Sequence, residues 1–363
     1  MDAERERSLE LLDGAAPALG SLESLDIEDQ KRIATDLEQP LDKRVEAYED
    51  IIDSDVGDTS LARARNIERE LGLRQIFLKF EGGNPSGTQK DRIAFAQARD
   101  ALRRGYDAIT VGTCGNYGAA VALASSLAGL RCILYIPETY HTKRLGEMTA
   151  LGAEIERVPG DYEQAVAASQ ERAIREEIYD ANPGGTNTVP QLRAYGEIAR
   201  EIYDELGDAP AAVAVPVSNG TTLAGIYRGF VSLYRRGKTS RLPKLLAGSA
   251  HRKNPIIEAF RKGLTHCEDL DPKQIRETPV NEPLINWHSS DGDLALTAIR
   301  LTAGWAGDAS DDDMSGFARL IREKEGLNVL PASTVSLFVL AERHRQAALP
   351  GDRYVVVLTG RRP

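Results

Sequence analysis

Cysteine is scarce in this sequence, and its scarcity excludes a fold that is held together by disulfides. Only Cys114, Cys132 and Cys267 occur among 363 residues. Small secreted domains stapled by disulfides have denser and evenly paired cysteines. We therefore expect three thiols in a reducing compartment. The fold should be stabilised by apolar cores, for which a hydrophobic fraction of 42% is sufficient.

Long apolar runs and an excess of positive charge are also missing. No run approaches the roughly 20 residues that span a bilayer, and the charged N-terminus lacks the apolar core of a secretory signal. A formal net charge of −10 would repel nucleic acid. We expect a cytoplasmic protein that binds neither membranes nor nucleic acid. A small anionic substrate is still compatible, because a few cations at contact distance outweigh diffuse charge.

The sequence has no histidine or cysteine pair at metal-ligand spacing, no Rossmann glycine motif and no Walker loop. We therefore expect no metal site. The one acidic cluster, Asp311 to Asp313, follows Ser310 and precedes an amphipathic run. Because carboxylates are favourable at the positive end of a helix, this cluster indicates the start of a helix.

From Leu61 onward, short β-branched runs alternate with helical patterns, which is typical of an α/β fold with parallel sheets. We expect strands at residues 76–80, 108–111, 132–136, 154–158, 211–217, 245–249 and 354–358. We expect helices at residues 91–104, 116–128, 143–151, 161–176, 190–206 and 222–236. Residues 1–60 are acidic and helix-prone, and they indicate a helical N-terminal extension.

A loop rich in glycine separates the expected strand 76–80 from the helix 91–104, and it ends in Lys90. It reads EGGNPSGTQ from Glu81 and predicts a tight connection. A lysine at the positive end of a helix is pushed towards its neutral form, which an amine needs before it can attack an aldehyde. From local chemistry alone, Lys90 is either such a nucleophile or a surface lysine at an ordinary turn.

Two further turns between a strand and a helix are suited to binding anions. They are residues 113–118, TCGNYG, and residues 217–222, VSNGTT. Backbone N–H groups at such turns bind carboxylate or phosphate, and Asn116 can also donate to a phenolate oxygen. The alternatives are a helix-capping asparagine and a plain turn. Thr359 follows the expected buried strand 354–358, where a threonine is unremarkable by itself.

The sequence NPSGTQKDR, which contains Lys90, resembles the cofactor-lysine signature of the threonine synthase group. That group belongs to the fold type II, or tryptophan synthase β-like, enzymes that use pyridoxal 5′-phosphate (PLP). The similarity begins in residues 58–73 and continues in order to the C-terminus. It implies two α/β domains, each a mostly parallel twisted sheet flanked by helices, with PLP in the cleft between them. Residues 61–90 and 191–363 would form the larger, phosphate-binding domain, and residues 91–190 the smaller one that closes on the substrate.

The same resemblance implies a role for each motif. Lys90 carries PLP as a Schiff base and, because no histidine is an obvious base, also moves the substrate proton. Asn116 contacts the ring hydroxyl, and Thr359 contacts the pyridine nitrogen. The residues implied to hold the PLP phosphate are Ser218, Asn219, Gly220, Thr221 and Thr222. The residues implied to bind the amino-acid substrate are Ser86, Thr88, Thr113, Cys114, Gly115 and Tyr117. A homodimer is expected by analogy.

Several residues depart from the family pattern. Thr88 and Gln89 replace a common Ser-Phe pair, Tyr117 replaces a smaller residue, and Leu330 stands where glutamate is frequent. In the phosphate loop, Thr221 replaces the usual second glycine. Because the changes at residues 88–89, 117 and 330 leave the cofactor contacts intact and concern the substrate side, the substrate stays open between several hypotheses.

The first hypothesis is the threonine synthase reaction, in which phosphate is eliminated from O-phosphohomoserine and water adds to give L-threonine. The second is β-elimination or β-replacement on serine, threonine or O-phosphoserine, as in dehydratases, cysteine synthase or cysteate synthase. The third is a non-catalytic binding protein with the same fold. For a phosphorylated substrate, the candidates to bind its phosphate are Ser86, Thr88, Lys143, Arg144 and Arg193.

Overall fold

The computed structural model describes residues 19–113, 115–138, 140 and 142–362. The prediction for Cys114 and part of the expected N-terminal extension lie outside these residues. Within them, the extension consists of two helices, α1 (Leu19–Thr35) and α2 (Leu41–Asp55). Tyr48 of α2 is buried and donates to the carbonyl oxygen of Ala124 at 2.9 Å, which ties the extension to the body. No helix in the described part of the chain is both long and apolar enough to cross a bilayer.

The strands form two separate sheets. In chain order they are β1 (Leu61–Arg63), β2 (Ile76–Phe80), β3 (Ala108–Gly112), β4 (Arg131–Pro137), β5 (Glu154–Val158), β6 (Tyr179–Asp180), β7 (Ala212–Pro216), β8 (Lys244–Ala250), β9 (Trp305–Ala309) and β10 (Tyr354–Leu358). The larger sheet has the order β1-β2-β10-β7-β8-β9, and the smaller has the order β5-β4-β3-β6. Neighbouring strands run parallel except for β1 and β2, which are antiparallel. The expected α/β class with mostly parallel sheets is therefore confirmed.

Helices connect and cover these strands. They are α3 (Arg65–Leu71), α4 (Lys90–Arg103), α5 (Asn116–Ala128), α6 (Leu145–Ala150), α7 (Tyr162–Glu176), α8 (Thr188–Leu206), α9 (Thr221–Arg235), α10 (Pro255–Arg261), α11 (Gly292–Leu301), α12 (Asp311–Glu325) and α13 (Val335–Gln346). Short 3-10 turns lie at Glu81–Gly83, Pro272–Gln274 and Pro331–Thr334. Every residue of β3, β7 and β10 is buried. Parallel strands that are covered on both faces show this pattern.

The expected strands and helices are confirmed, with their ends shifted by two residues or fewer. The pattern did not predict β1, β6 and β9, or the helices α3, α10, α11 and α13. β1 and β6 are too short to show a period. β9 has the sequence WAGDA, in which Gly307 and Asp308 are poor strand formers, so its place depends on pairing with β8.

The acidic cluster Asp311 to Asp313 begins α12, as expected. Ser310 accepts from the Asp313 N–H at 3.1 Å, and the Asp313 carboxylate accepts from the Ser310 N–H at 3.1 Å. Ser310 and Asp313 thus each accept from a backbone N–H that has no acceptor within the helix, and together they form a reciprocal helix cap.

A buried network of charges surrounds Arg92 in the first turn of α4. Arg92 contacts Glu81 at 2.5 Å and Glu201 at 2.6 Å, and Lys79 pairs with Glu201. The Thr59 hydroxyl donates to Glu81 at 2.7 Å. These four charged side chains are buried. Two cations therefore balance two carboxylates, and the network joins the end of β2, the start of α4 and the middle of α8.

We expect Glu201→Gln to lower the free energy of unfolding by about 3 kcal/mol, because it leaves two buried cations with one carboxylate. Glu154→Gln is the matched control, since Glu154 pairs with Arg131 at 3.0 Å on the surface. The control should change stability by less than about 1 kcal/mol. Urea unfolding at pH 7 measures both values. Equal effects of the two substitutions would show that the network does not hold the fold together.

The same network predicts how stability depends on pH. Burial disfavours the charge of Glu201, but Arg92 and Lys79 outweigh this effect and lower its pKa from 4.5 to about 2. A carboxylate with a lowered folded-state pKa contributes stability above its unfolded value and loses it as the pH falls. Between about pH 4.5 and pH 2, the free energy of unfolding of the unsubstituted protein should therefore fall more steeply with pH than that of the Glu201→Gln variant. If the free energy of unfolding fell equally with pH in both proteins, the lowered pKa of Glu201 would be contradicted.

Candidate active site

Lys90 is the first residue of α4, and the loop before it is held against the end of β10. The Gln89 N–H donates to the carbonyl oxygen of Thr359 at 2.9 Å, and the Arg361 N–H donates to that of Gly87 at 2.9 Å. The loop thus forms backbone hydrogen bonds to a segment that lies about 270 residues later in the chain. Lys90 is placed at a helix N-terminus beside the carboxyl end of the central strand of the larger sheet.

The other predicted turns open onto the same cleft. In parallel sheets, ligands bind outside the carboxyl ends of the strands, and the turns after β3 and β7 lie at such ends. The described predicted site residues, apart from Ser86, line two adjoining cavities. The first cavity includes Thr88, Lys90, Asn116, Ser218, Asn219, Gly220, Thr221, Thr222 and Thr359. The second includes Lys90, Thr113, Gly115, Asn116, Tyr117, Ser218 and Asn219.

The amine of Lys90 is poised between its charged and neutral forms. Burial lowers its pKa from 10.5 to about 8, although the carboxylates of Glu282 and Asp291 favour the charged form. Its Nζ atom lies 5.4 Å from the centre of the Tyr117 ring. Lys90 is therefore neutral in an appreciable fraction of molecules near neutral pH, as an attacking amine must be.

Tyr117 presents its ring, rather than its hydroxyl, to the lysine. Its hydroxyl donates to the carbonyl oxygen of Ala181 at 2.7 Å, which connects α5 to the residues after β6. The side chain is buried. The large residue after Asn116 therefore forms part of one wall of the cleft.

Side-chain hydrogen bonds and a glycine with positive φ fix the conformation of the turn after β7. Gly220 precedes α9 with a φ of +93°. The carbonyl oxygen of Ser218 accepts from Asn254 at 3.0 Å and from the Ser289 hydroxyl at 3.1 Å. The Thr221 hydroxyl donates to the Asp291 carboxylate at 2.5 Å. The first N–H groups of a helix have no acceptor within the helix, so the start of α9 is suited to binding an anion.

Arg144 connects the lysine loop to the turn after β3. Its guanidinium donates to the Asn116 side-chain oxygen at 3.1 Å and to the carbonyl oxygen of Ser86 at 3.0 Å, and it also pairs with Glu147. Because the oxygen of Asn116 accepts from Arg144, its amide nitrogen is left to donate. The other cations considered for a substrate phosphate lie elsewhere: Lys143 is exposed, and Arg193 lines a different cavity.

Several carboxylates in the cleft were not predicted from the sequence. Glu163, Glu277 and Glu282 line the cavity that contains Lys90, and Asp291 contacts the turn after β7. Three of these four residues belong to a segment, 262–291, that has little regular secondary structure. No periodicity or spacing in that segment marks them as site residues.

Known enzymes resemble most of this chain in sequence. Residues 52–360 match the model of the pyridoxal-phosphate dependent enzyme family. Threonine synthases from Methanocaldococcus jannaschii and Methanosarcina acetivorans are 31% and 27% identical to the chain over 316 and 307 residues. Each alignment covers 84% of this chain and 74% of the other protein.

Solved structures of other enzymes have the same fold. A pyridoxal 5′-phosphate-dependent aspartate racemase has a TM-score of 0.73 and 19% identity, over 88% of this chain and 94% of its own. Processed threonine deaminase isoform 2 from Solanum lycopersicum has a TM-score of 0.71 and 16% identity, over 88% and 90% of the two chains. At these identities the structures establish the shared fold alone.

Gly220 provides a test of the anion-binding turn. A Cβ atom there would lie 2.9 Å from both the Asp291 carbonyl oxygen and Ala295 Cβ, whereas Gly237, after the same helix, has open space around it. Both glycines have positive φ, so alanine strains the backbone at either position. We expect Gly220→Ala to weaken PLP binding about tenfold, and Gly237→Ala to leave it unchanged. Absorbance titration of the apoprotein measures this, and equal PLP affinities would contradict the role of the turn.

Proposed function

Because the chain belongs to the pyridoxal-phosphate dependent enzyme family, we propose that Lys90 is the residue that binds the cofactor covalently. The cofactor and the enzyme class, a threonine synthase-like carbon–oxygen lyase, are those predicted from the sequence. The observation that carries the proposal is the position of Lys90, which lines both cavities together with the two anion-binding turns, and burial lowers the pKa of its amine to about 8. When bound, PLP supplies an electron sink for charge that develops at the substrate Cα.

The residues around Lys90 fit PLP. The N–H groups of residues 218–222 and the hydroxyls of Thr221 and Thr222 would hold its phosphate at the start of α9. The Asp291 carboxylate accepts from the Thr221 hydroxyl and so orients it at the start of α9, and burial raises the pKa of Asp291. The amide nitrogen of Asn116 would donate to the oxygen of the ring hydroxyl.

Thr359 would contact the pyridine nitrogen of the ring. A neutral hydroxyl does not hold that nitrogen protonated as a carboxylate would. The ring is then a weaker electron sink, which favours elimination over transamination. This preference agrees with the lyase class.

Lys90 also has the position to move the substrate proton. The Nζ atom of Lys90 would be the basic group beside the substrate Cα, and its lowered pKa would suit it to accept a proton near neutral pH. The backbone N–H groups of Gly115 and Asn116, at the start of α5, would bind the substrate carboxylate. Thr88, Thr113, Ser86 and the Tyr117 ring would enclose the rest of the substrate. Closure of residues 91–190 on the larger domain would expel water.

Two substrate classes fit this reaction. Elimination of phosphate from O-phosphohomoserine, followed by addition of water to give threonine, is favoured by the identity to threonine synthases. β-Elimination or β-replacement on serine, threonine or O-phosphoserine is the second class. Within it the carboxylates in the cleft favour serine and threonine over O-phosphoserine, because they repel a phosphate leaving group but not a hydroxyl. A homodimer stays a prediction.

Trapping the cofactor tests the role of Lys90. Borohydride reduction of the PLP-bound enzyme should attach the cofactor irreversibly to the peptide that contains Lys90, as peptide mapping by mass spectrometry would show. Lys90→Ala should abolish turnover and leave the far-ultraviolet circular dichroism and the midpoint of urea unfolding unchanged. An adduct on another lysine would overturn the proposal.

The pH dependence of cofactor uptake tests the state of the amine. Only the neutral amine attacks the aldehyde, so the rate of PLP uptake by the apoprotein should rise with pH and level off above about 8. Glu282 favours the charged amine, so Glu282→Gln should move this midpoint to lower pH. Stopped-flow absorbance measures both profiles. A rate that keeps rising to about pH 10, as for an ordinary lysine, would contradict the assignment.

A further inference from the structure

The cavity that contains Lys90 is lined by an excess of negative side chains. Asp161, Glu163, Glu277 and Glu282 face it, and among the described residues that line it Lys90 is the one lysine or arginine. Lys90 itself is assigned to the cofactor. Among the described residues, the part of the cleft beyond the cofactor therefore has carboxylates without a matching set of lysines or arginines.

Asp161 has a structural role within this group. It caps α7 by accepting from the N–H groups of Glu163 at 3.1 Å and Gln164 at 3.3 Å, and it accepts from the indole of Trp287 at 3.0 Å. The positive end of α7 compensates its charge. Asp161 thereby places Glu163, in the first turn of α7, at the wall of the cavity.

Glu163 has one carboxylate oxygen without a partner in the described part of the chain. This Oε1 atom is buried and accepts no hydrogen bond there. Burial and the adjacent Asp161, through its charge and a hydrogen bond, raise the pKa of Glu163 to about 7, whereas its own backbone N–H and His288 lower it. A buried acceptor without a donor is unfavourable, so a ligand that supplies a donor would be stabilised there.

Glu282 and Glu277 extend the same surface towards Lys90. Burial, together with Glu277, raises the pKa of Glu282 to about 7, while a hydrogen bond from Tyr140 and the charge of Lys90 lower it. Burial also raises the pKa of Glu277. A bound cation would stabilise the charged forms of these carboxylates, whereas a phosphate dianion at the same distance would be repelled by them.

We propose that this part of the cleft binds an ammonium group, carried by the side chain of the amino-acid substrate or by an acceptor amine, and excludes phosphorylated side chains. The inference rests on the proposed function, because it concerns the same cleft. It makes a hydroxyl the leaving group and removes O-phosphohomoserine and O-phosphoserine from the substrate classes.

Binding of matched amino acids to the PLP-bound enzyme tests the proposal. The probes are L-norvaline, L-2,4-diaminobutyrate, L-glutamate and O-phospho-L-homoserine, whose side chains are neutral, cationic, anionic and phosphorylated. Absorbance of the cofactor gives each Kd. We expect L-2,4-diaminobutyrate to bind about tenfold more tightly than L-norvaline, and both anionic probes to bind more weakly than L-norvaline. Tighter binding of O-phospho-L-homoserine than of L-norvaline would overturn the proposal.

Two variants connect this preference to the carboxylates. Glu163→Gln should reduce the preference for L-2,4-diaminobutyrate over L-norvaline several-fold. Glu171→Gln, an exposed position on the same helix, should leave it unchanged. Glu282→Gln serves as a second variant if Glu163→Gln does not fold. A preference that survives in both cleft variants would contradict the assignment.

Proton release provides a readout that folding alone would not change. A bound ammonium group favours ionised carboxylates, so at pH 7 L-2,4-diaminobutyrate should release more protons than L-norvaline. Calorimetry in buffers of different ionisation enthalpy measures the difference, which Glu163→Gln should reduce. If the borohydride adduct is on Lys90 but the two amino acids release equal numbers of protons, this inference is wrong and the proposed function stands. If the adduct is absent, the proposed function fails.

Discussion

The site depends on the buried ion network around Arg92. A helix that starts with a reactive lysine needs a first turn that does not fray, and Arg92 provides it by pairing with Glu81 and Glu201. Glu81 follows β2 of the larger sheet, and Glu201 lies in the middle of α8. Because each charge in the network is buried with its partners, displacement of any one element would leave an unpaired charge inside the protein. The position of Lys90 is thereby coupled to the packing of the whole region.

The chain assembles the cleft from segments that are far apart in sequence. β3 of the smaller sheet and β7 and β10 of the larger sheet all end at it, and the turn after each strand contributes one kind of group. The start of α5 and the start of α9 offer backbone donors for anions, and Lys90 stands between them. Arg144 adds a direct link, since it contacts both Asn116 and Ser86. Two anion-binding turns on either side of one amine suit a ligand with two negative ends, such as PLP joined to an amino acid.

Electrostatics divides the cleft into two parts. Around Lys90, burial lowers the amine's pKa, while nearby carboxylates limit the shift. Beyond Lys90, Glu163 and Glu282 have raised pKa values because they are buried among like charges. The motifs of the first part resemble the cofactor-lysine signature of the threonine synthase group, and the second part contains the carboxylates that the sequence did not predict. The cofactor chemistry and the substrate selectivity thus depend on different residues.

The sequence by itself predicted seven of the ten strands in the described part of the chain, the longest helices of the two domains and the motifs that we propose bind the cofactor. Buried parallel strands and the turns after them are local signals, because β-branched runs, glycines and helix starts act over a few residues. Thr359 and Asn116 were also found in this way, through a resemblance carried by motifs at strand ends. The tertiary structure alone decided where Arg92 finds its partners and which carboxylates face Lys90. Glu163 and Glu282 lie 119 residues apart, and side chains brought together over such a distance leave no period or spacing in the sequence.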